Sequence, residues 1–182
     1  MAESAVQVAL LRGINVGGKN ALPMRELVGL FEEAGCSNVR TYIQSGNVLF
    51  TASARALEAL AAGLEKKIFE RYRLKVPLVL RSAKELAEIA REHPFGARDL
   101  GPKALHVMFL ADRPTAGAIA GLDPARSLPD EFRVVGREVY LCCPSGMART
   151  KLTNDYFDRR LATTSTVRNW RTVLALVELA GK

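Results

Sequence analysis

Cysteine is scarce in this chain, with three among 182 residues: Cys36, Cys142 and Cys143. An odd number excludes a fully paired disulfide framework, and the adjacent pair falls in a predicted strand, where neighbouring side chains point to opposite faces. Histidine is scarcer still. His93 and His106 stand without another His or Cys at ligand spacing, so no metal site is expected. No apolar run approaches the ~18 to 20 residues that a membrane-spanning helix needs. The opening MAESAVQVALLRG has no basic segment ahead of an apolar one, so the sequence predicts no targeting segment, a cytoplasmic location and no membrane partner.

What is present fits a globular protein. Hydrophobic residues make up 48% and charged residues 25%, a balance that excludes disorder. A chain of this size can bury about 70% of its unfolded surface, in one domain or in two small ones. The net charge of +7 favours acidic partners such as nucleic acid, nucleotides or phosphorylated metabolites, without choosing among them. The bias is most local over residues 145–171, where Arg149, Lys151, Arg159, Arg160, Arg168 and Arg171 face only Asp155 and Asp158.

The apolar run at 6–11 reads as a central strand buried on both faces. Pro23 is placed to open a helix whose Met24, Leu27, Val28 and Phe31 share one face, and Gly35 can end it. Residues 39–43 and 48–51 flank Gln44-Ser45-Gly46-Asn47, a hairpin signal. A helix follows, with Leu57, Leu60, Ala61, Leu64 and Ile68 on one face. Residues 76–80 form a strand that Pro77 assigns to a sheet edge. Ser82 and Glu85 make a capping box for a connecting helix that His93-Pro94 closes.

The second half runs similarly. It has an apolar strand at 104–110, a weak helix at 114–122, and strands at 132–135 and 138–142 around Gly136-Arg137. A helix at 151–161 leads to a short strand or cap at 164–167. An amphipathic helix at 169–180 carries Trp170, Val173, Leu174 and Val177 on one stripe. The pattern predicts an α+β protein of two βαββαβ, ferredoxin-like halves with mixed or antiparallel sheets and an added C-terminal helix. The halves would cover 1–81 and 104–182, joined by a connector at 82–103.

Arg12-Gly13-Ile14-Asn15-Val16-Gly17-Gly18-Lys19-Asn20 leaves a buried strand toward a helix, a place where backbone N–H groups can gather around an anion. Gly13 to Asn20 matches the phosphate-loop pattern G-x-x-x-x-G-K-[ST] except at Asn20, which lacks the hydroxyl that binds magnesium. The late helix start and the following hairpin also count against that enzyme class. Two readings remain: Arg12, Lys19 and the glycine amides bind a phosphate or carboxylate, or the glycines only supply positive φ in a crossover loop. Arg168 and Arg171 are expected in or near the first turn of the last helix, where a cation opposes the dipole and calls for an acidic partner. That partner is either a ligand phosphate or Asp155 or Asp158. Gln44, Ser45, Asn47, Lys151 and Asn169 can complete an anion site, and turn chemistry explains the same segments. Neither Ser45 nor Ser145 has the setting of a nucleophile. The aromatic RNA-binding signature expected on a ferredoxin-like sheet is absent.

The segments ALLRGINVGGKN, VRTYIQSGNVLF, HPFG, GREVYL with CPSG, and TVRNWRTVLALVEL, in that order, resemble the bacterial family known as domain of unknown function 1697. The resemblance runs along essentially the whole chain and carries over no activity, substrate or cofactor. It implies that Arg12 to Asn20, Tyr42 to Asn47 and Arg168 to Thr172 are among the family's most recognisable segments. The chain departs from the family pattern ahead of Lys151, where Thr150 stands in place of serine, and at Val167, in place of threonine.

The leading expectation is a phosphate-bearing small ligand, such as a nucleotide, at Arg12, Gly13, Asn15, Gly17, Gly18, Lys19 and Asn20, with Gln44, Ser45, Asn47, Lys151, Arg168, Asn169 and Arg171 contributing. The alternatives are a nucleic-acid-associated protein using residues 145–171, and a protein–protein module with an exposed apolar patch on the last helix. No catalytic residue, cofactor or oligomeric state follows from these residues.

Overall fold

The computed structural model describes residues 5–91, 93–98, 100 and 103–182. The chain divides into two compact units, Met1–Leu86 with Leu176–Lys182, and Ala87–Ala175.

In the first unit the order is β1 (Val6–Leu11), α1 (Met24–Glu33), β2 (Ser37–Tyr42), β3 (Asn47–Thr51), α2 (Ala54–Tyr72) and β4 (Leu78–Ser82). The sheet runs β2-β3-β1-β4, and every neighbouring pair is antiparallel. The apolar run at 6–11 is central, as its composition requires: Val8, Ala9, Leu10 and Leu11 are all fully buried. Ala9 and Leu11 face a core of Leu27, Leu30, Phe31, Leu60, Leu64 and Ile68 from the two helices, together with Val48 and Phe50 of β3. Pro23 is the N-cap of α1 rather than its first residue. Gly35, at φ +83°, ends that helix, and Cys36 N–H reaches back to Phe31 O at 3.0 Å. Pro77, with no N–H to give a ladder, lies just before β4, which is indeed a sheet edge.

The second unit repeats the plan with β5 (Leu105–Leu110), α4 (Ala116–Ala120), β6 (Glu131–Val135), β7 (Glu138–Cys142), α5 (Asn154–Leu161) and β8 (Ser165–Asn169). Its sheet, β6-β7-β5-β8, is antiparallel throughout. The doubtful element at 164–167 is a full strand paired along β5 from Leu110–Ser165 to His106–Asn169. The core gathers Met108, Leu110, Val139, Leu141, Leu152, Tyr156, Phe157 and Leu161. Two helix boundaries move inward because hydroxyls claim the first turns: Thr115 caps α4, and Thr153 caps α5 by accepting from Tyr156 N–H at 3.3 Å. Lys151 therefore precedes the helix it was expected to open.

A helix follows the last strand of each sheet: α3 (Ala83–Arg91) after β4 and α6 (Trp170–Ala180) after β8. The α3 start is the expected capping box, with Ser82 N–H donating to Glu85 Oε2 at 2.8 Å and Glu85 N–H to Ser82 Oγ at 3.2 Å. The expected mixed or antiparallel sheets are both purely antiparallel. Among the described residues no helix is long and apolar enough to cross a membrane.

Candidate ligand site

The glycine-rich segment is a miniature hairpin. Val16 and Lys19 form an isolated antiparallel bridge, and Lys19 N–H donates to Val16 O at 3.1 Å. Gly17 and Gly18, at φ +58° and +72°, supply the two left-handed positions that this tight turn demands. One step out, Asn15 N–H donates to Asn20 O at 3.1 Å. The loop thus uses the amides of Asn15 and Lys19 on itself. The helix expected after it begins only at Met24, and both neighbours of β1 are antiparallel, which is not the strand–loop–helix of a phosphate-loop enzyme.

Asparagine side chains brace this hairpin. Asn15 Nδ2 donates to Leu22 O at 2.8 Å and to Gln44 O at 3.0 Å, and its Oδ1 accepts from Leu22 N–H at 2.8 Å. Asn20 Nδ2 donates to Gly13 O at 2.9 Å. Both asparagines sit at positive φ, 53° and 51°, which their side chains tolerate better than most.

The β2–β3 turn is joined to the loop within the first unit. Besides the Asn15–Gln44 bond, Leu11 N–H donates to Gly46 O at 2.8 Å. A Cβ on Gly46 would lie 2.8 Å from Leu11 Cβ and 3.0 Å from Ile14 Cδ1, so the close approach depends on glycine. Asn47 is fully buried and ties the turn by donating to Tyr42 O and Ser45 Oγ. Ile43 adopts φ +49° while remaining 51% exposed. A β-branched residue in that region is strained, and such strain gathers at functional sites. Val16, on the other side of the Asn15–Gln44 link, is 59% exposed. Lys19, bridged to Val16, is exposed, and Arg12 at the start of the loop is half-buried.

The remaining expected site residues belong to the second unit. Arg168, expected in or near the first turn of α6, lies near the end of β8, two residues before that helix begins. Its side chain is buried, and Nη1 donates to Thr166 Oγ1 and Val167 O, each at 2.8 Å. Burial pushes its guanidinium down to about 10. Asn169 caps α6, its Oδ1 accepting from Arg171 N–H at 3.0 Å. Arg171 and Lys151 are exposed, and Lys151 N–H donates to Ser127 Oγ at 2.9 Å. Ile43 escaped the sequence because φ leaves no trace in composition. Among the described residues no group of three or more His, Cys, Asp or Glu side chains is arranged to hold a metal.

Two βαββαβ units with matching antiparallel sheets make this a tandem ferredoxin-like α+β protein. The chain belongs to the family of proteins of unknown function DUF1697, whose pattern matches residues 5–140. It is similar in fold to the conserved bacterial protein SP0830 from Streptococcus pneumoniae. The two share 23% identity over 99% of this chain and 100% of that chain, with a TM-score of 0.72. None of the curated proteins compared with the chain matches it.

Proposed function

We propose that the first unit binds a phosphate-bearing small ligand, such as a nucleotide, at the joined glycine hairpin and β2–β3 turn. The observation that carries this reading is the strained, exposed Ile43, one residue from the bond that pins the turn to Asn15. At 51% exposure the side chain adds little to the core, and a strained residue of this kind is a feature that gathers at binding sites. Lys19 and Arg12 draw the phosphate, the glycine turn lets backbone approach it, and Val16 and Ile43 take the flat or apolar part of the molecule. The asparagine braces hold these groups in place before the ligand arrives, which lowers the ordering cost of binding.

A thermal-shift panel of nucleotides and sugar phosphates tests this on the natural chain and on Lys19→Ala and Ile43→Gly. A ligand at 100 times its dissociation constant adds about 2.7 kcal/mol, a rise of roughly 5 to 10 °C at this chain length. Loss of that rise in both variants supports the site. No rise with any compound, or one that both variants keep, removes it.

A further inference from the structure

The second unit holds a cavity of about 370 Å³ lined by Arg126, Thr153, Asp155, Tyr156, Arg159 and Arg160. Three arginines and one aspartate are among its lining residues. Arg126 is held at two points: its guanidinium carbon lies 4.0 Å from the centroid of the Tyr156 ring, and its Nε donates to Lys151 O at 3.0 Å. Tyr156 is itself fixed, buried in the core with its hydroxyl accepting from Asp123 N–H at 2.9 Å. Stacking on a locked ring and one bond through Nε orient the Arg126 fork without occupying it. Arg159 and Arg160 end the cavity from the last turn of α5 and are exposed, so core packing does not explain their place. Among the described residues none of the three arginines is held in an ion pair.

We propose that this cavity is a second binding site, taking the phosphate group of an ester. Planar forks with several donors each match paired anionic oxygens, and three arginines around one cavity can engage more oxygens than a carboxylate or a halide offers; a pre-oriented arginine loses little entropy in binding them. The phosphate is carried either by a small monoester or by the backbone of a nucleic-acid strand. Both present the same oxygens to the cavity.

The test is titration calorimetry on the full chain with AMP and with a single-stranded oligonucleotide of about twelve nucleotides, at about 50 and about 200 mM salt. The variants are Arg126→Lys, which keeps the charge and loses the fork, and the double change Arg159→Ala with Arg160→Ala at two exposed residues. Either variant is expected to weaken binding at least tenfold, while Lys19→Ala leaves it unchanged, so this site and the first-unit site fail separately. Three phosphate contacts on a single strand at about 0.7 counterions each predict an affinity about 18-fold lower at the higher salt. That drop, with the oligonucleotide bound far more tightly than AMP, identifies a strand; comparable AMP binding with little salt dependence identifies a monoester. Absence of binding by both probes, or binding that both variants retain, overturns the proposal.

Discussion

Arg81 and Arg168 occupy the same position in their two sheets. Arg81 of β4 lies opposite Val8 of β1, and Arg168 of β8 lies opposite Val107 of β5. Each is buried, at 1% and 7% exposure, and each donates Nη1 to the carbonyl of the residue before it at 2.8 Å. Each is followed by a polar residue that caps the next helix, Ser82 or Asn169. A buried arginine followed by a cap is therefore a repeated part of the βαββαβ plan, although the surrounding residues differ.

Arg168→Ala should destabilise the second unit by about 3 kcal/mol or more, because it removes a large buried side chain and leaves internal acceptors without their donor. Arg168→Lys restores charge but not the fork, so it should recover less than half of the loss. Arg81→Ala should behave alike in the first unit. Urea unfolding followed by circular dichroism measures all three; losses below about 1 kcal/mol would mean that the two arginines are not structural supports.

Gly46→Ala should cost about 2 to 3 kcal/mol. The new methyl meets Leu11 Cβ at 2.8 Å, and the backbone keeps φ +77° whatever the side chain. Since Gly46 O accepts from Leu11 N–H, the same change should raise hydrogen exchange at the Leu11 amide. An unchanged urea midpoint would show that the turn can move away from β1 at little cost.

Ile43→Gly should raise stability by about 1 kcal/mol, since glycine removes the left-handed strain at φ +49° and the side chain is half in water. Gain of stability with loss of ligand affinity is the signature of a strained binding residue. A destabilising Ile43→Gly would instead assign the side chain to packing.

The architecture was legible because its elements announce themselves by period and punctuation: the apolar runs at β1 and β5, the Ser82–Glu85 box and the Gly136-Arg137 hairpin. β8 was hard to read because Ser165, Thr166, Arg168 and Asn169 give it little apolar content, and its burial comes from the fold and not from its composition. The same strand sets where Arg168 stands: pairing with β5 extends to Asn169, so Arg168 is a strand residue just ahead of α6. In the candidate site the sequence marked both segments by their Gly and Asn residues. What Asn15 and Asn20 do there depends on partners up to 29 positions away, as with Gln44, and no local spacing encodes that. The stack of Arg126 on Tyr156 is hidden for the same reason.

His93 and His106 should make the protein lose stability as pH falls below about 6.5. Burial lowers both imidazoles from that ordinary value, with His93 further depressed by His106 and both partly restored by backbone hydrogen bonds. His93 Nδ1 accepts from Phe95 N–H at 3.2 Å, which leaves Nε2 to carry the proton toward His106 O at 3.3 Å. The ring lies edge-on to Tyr140 and Trp170, at 5.1 and 4.8 Å between centroids, so a second proton on Nδ1 would face a donor inside an aromatic enclosure. Because the folded pKa values lie below the unfolded ones, the unfolded chain binds more protons in the interval between them. Stability is then full above pH 6.5 and falls toward acid, by up to about 1.4 kcal/mol per pH unit for each histidine. Urea midpoints between pH 7.5 and 5.5 measure the slope, and His93→Gln should flatten it by about half. An equal slope in that variant would place the acid sensitivity on the carboxylates and not on the buried imidazoles.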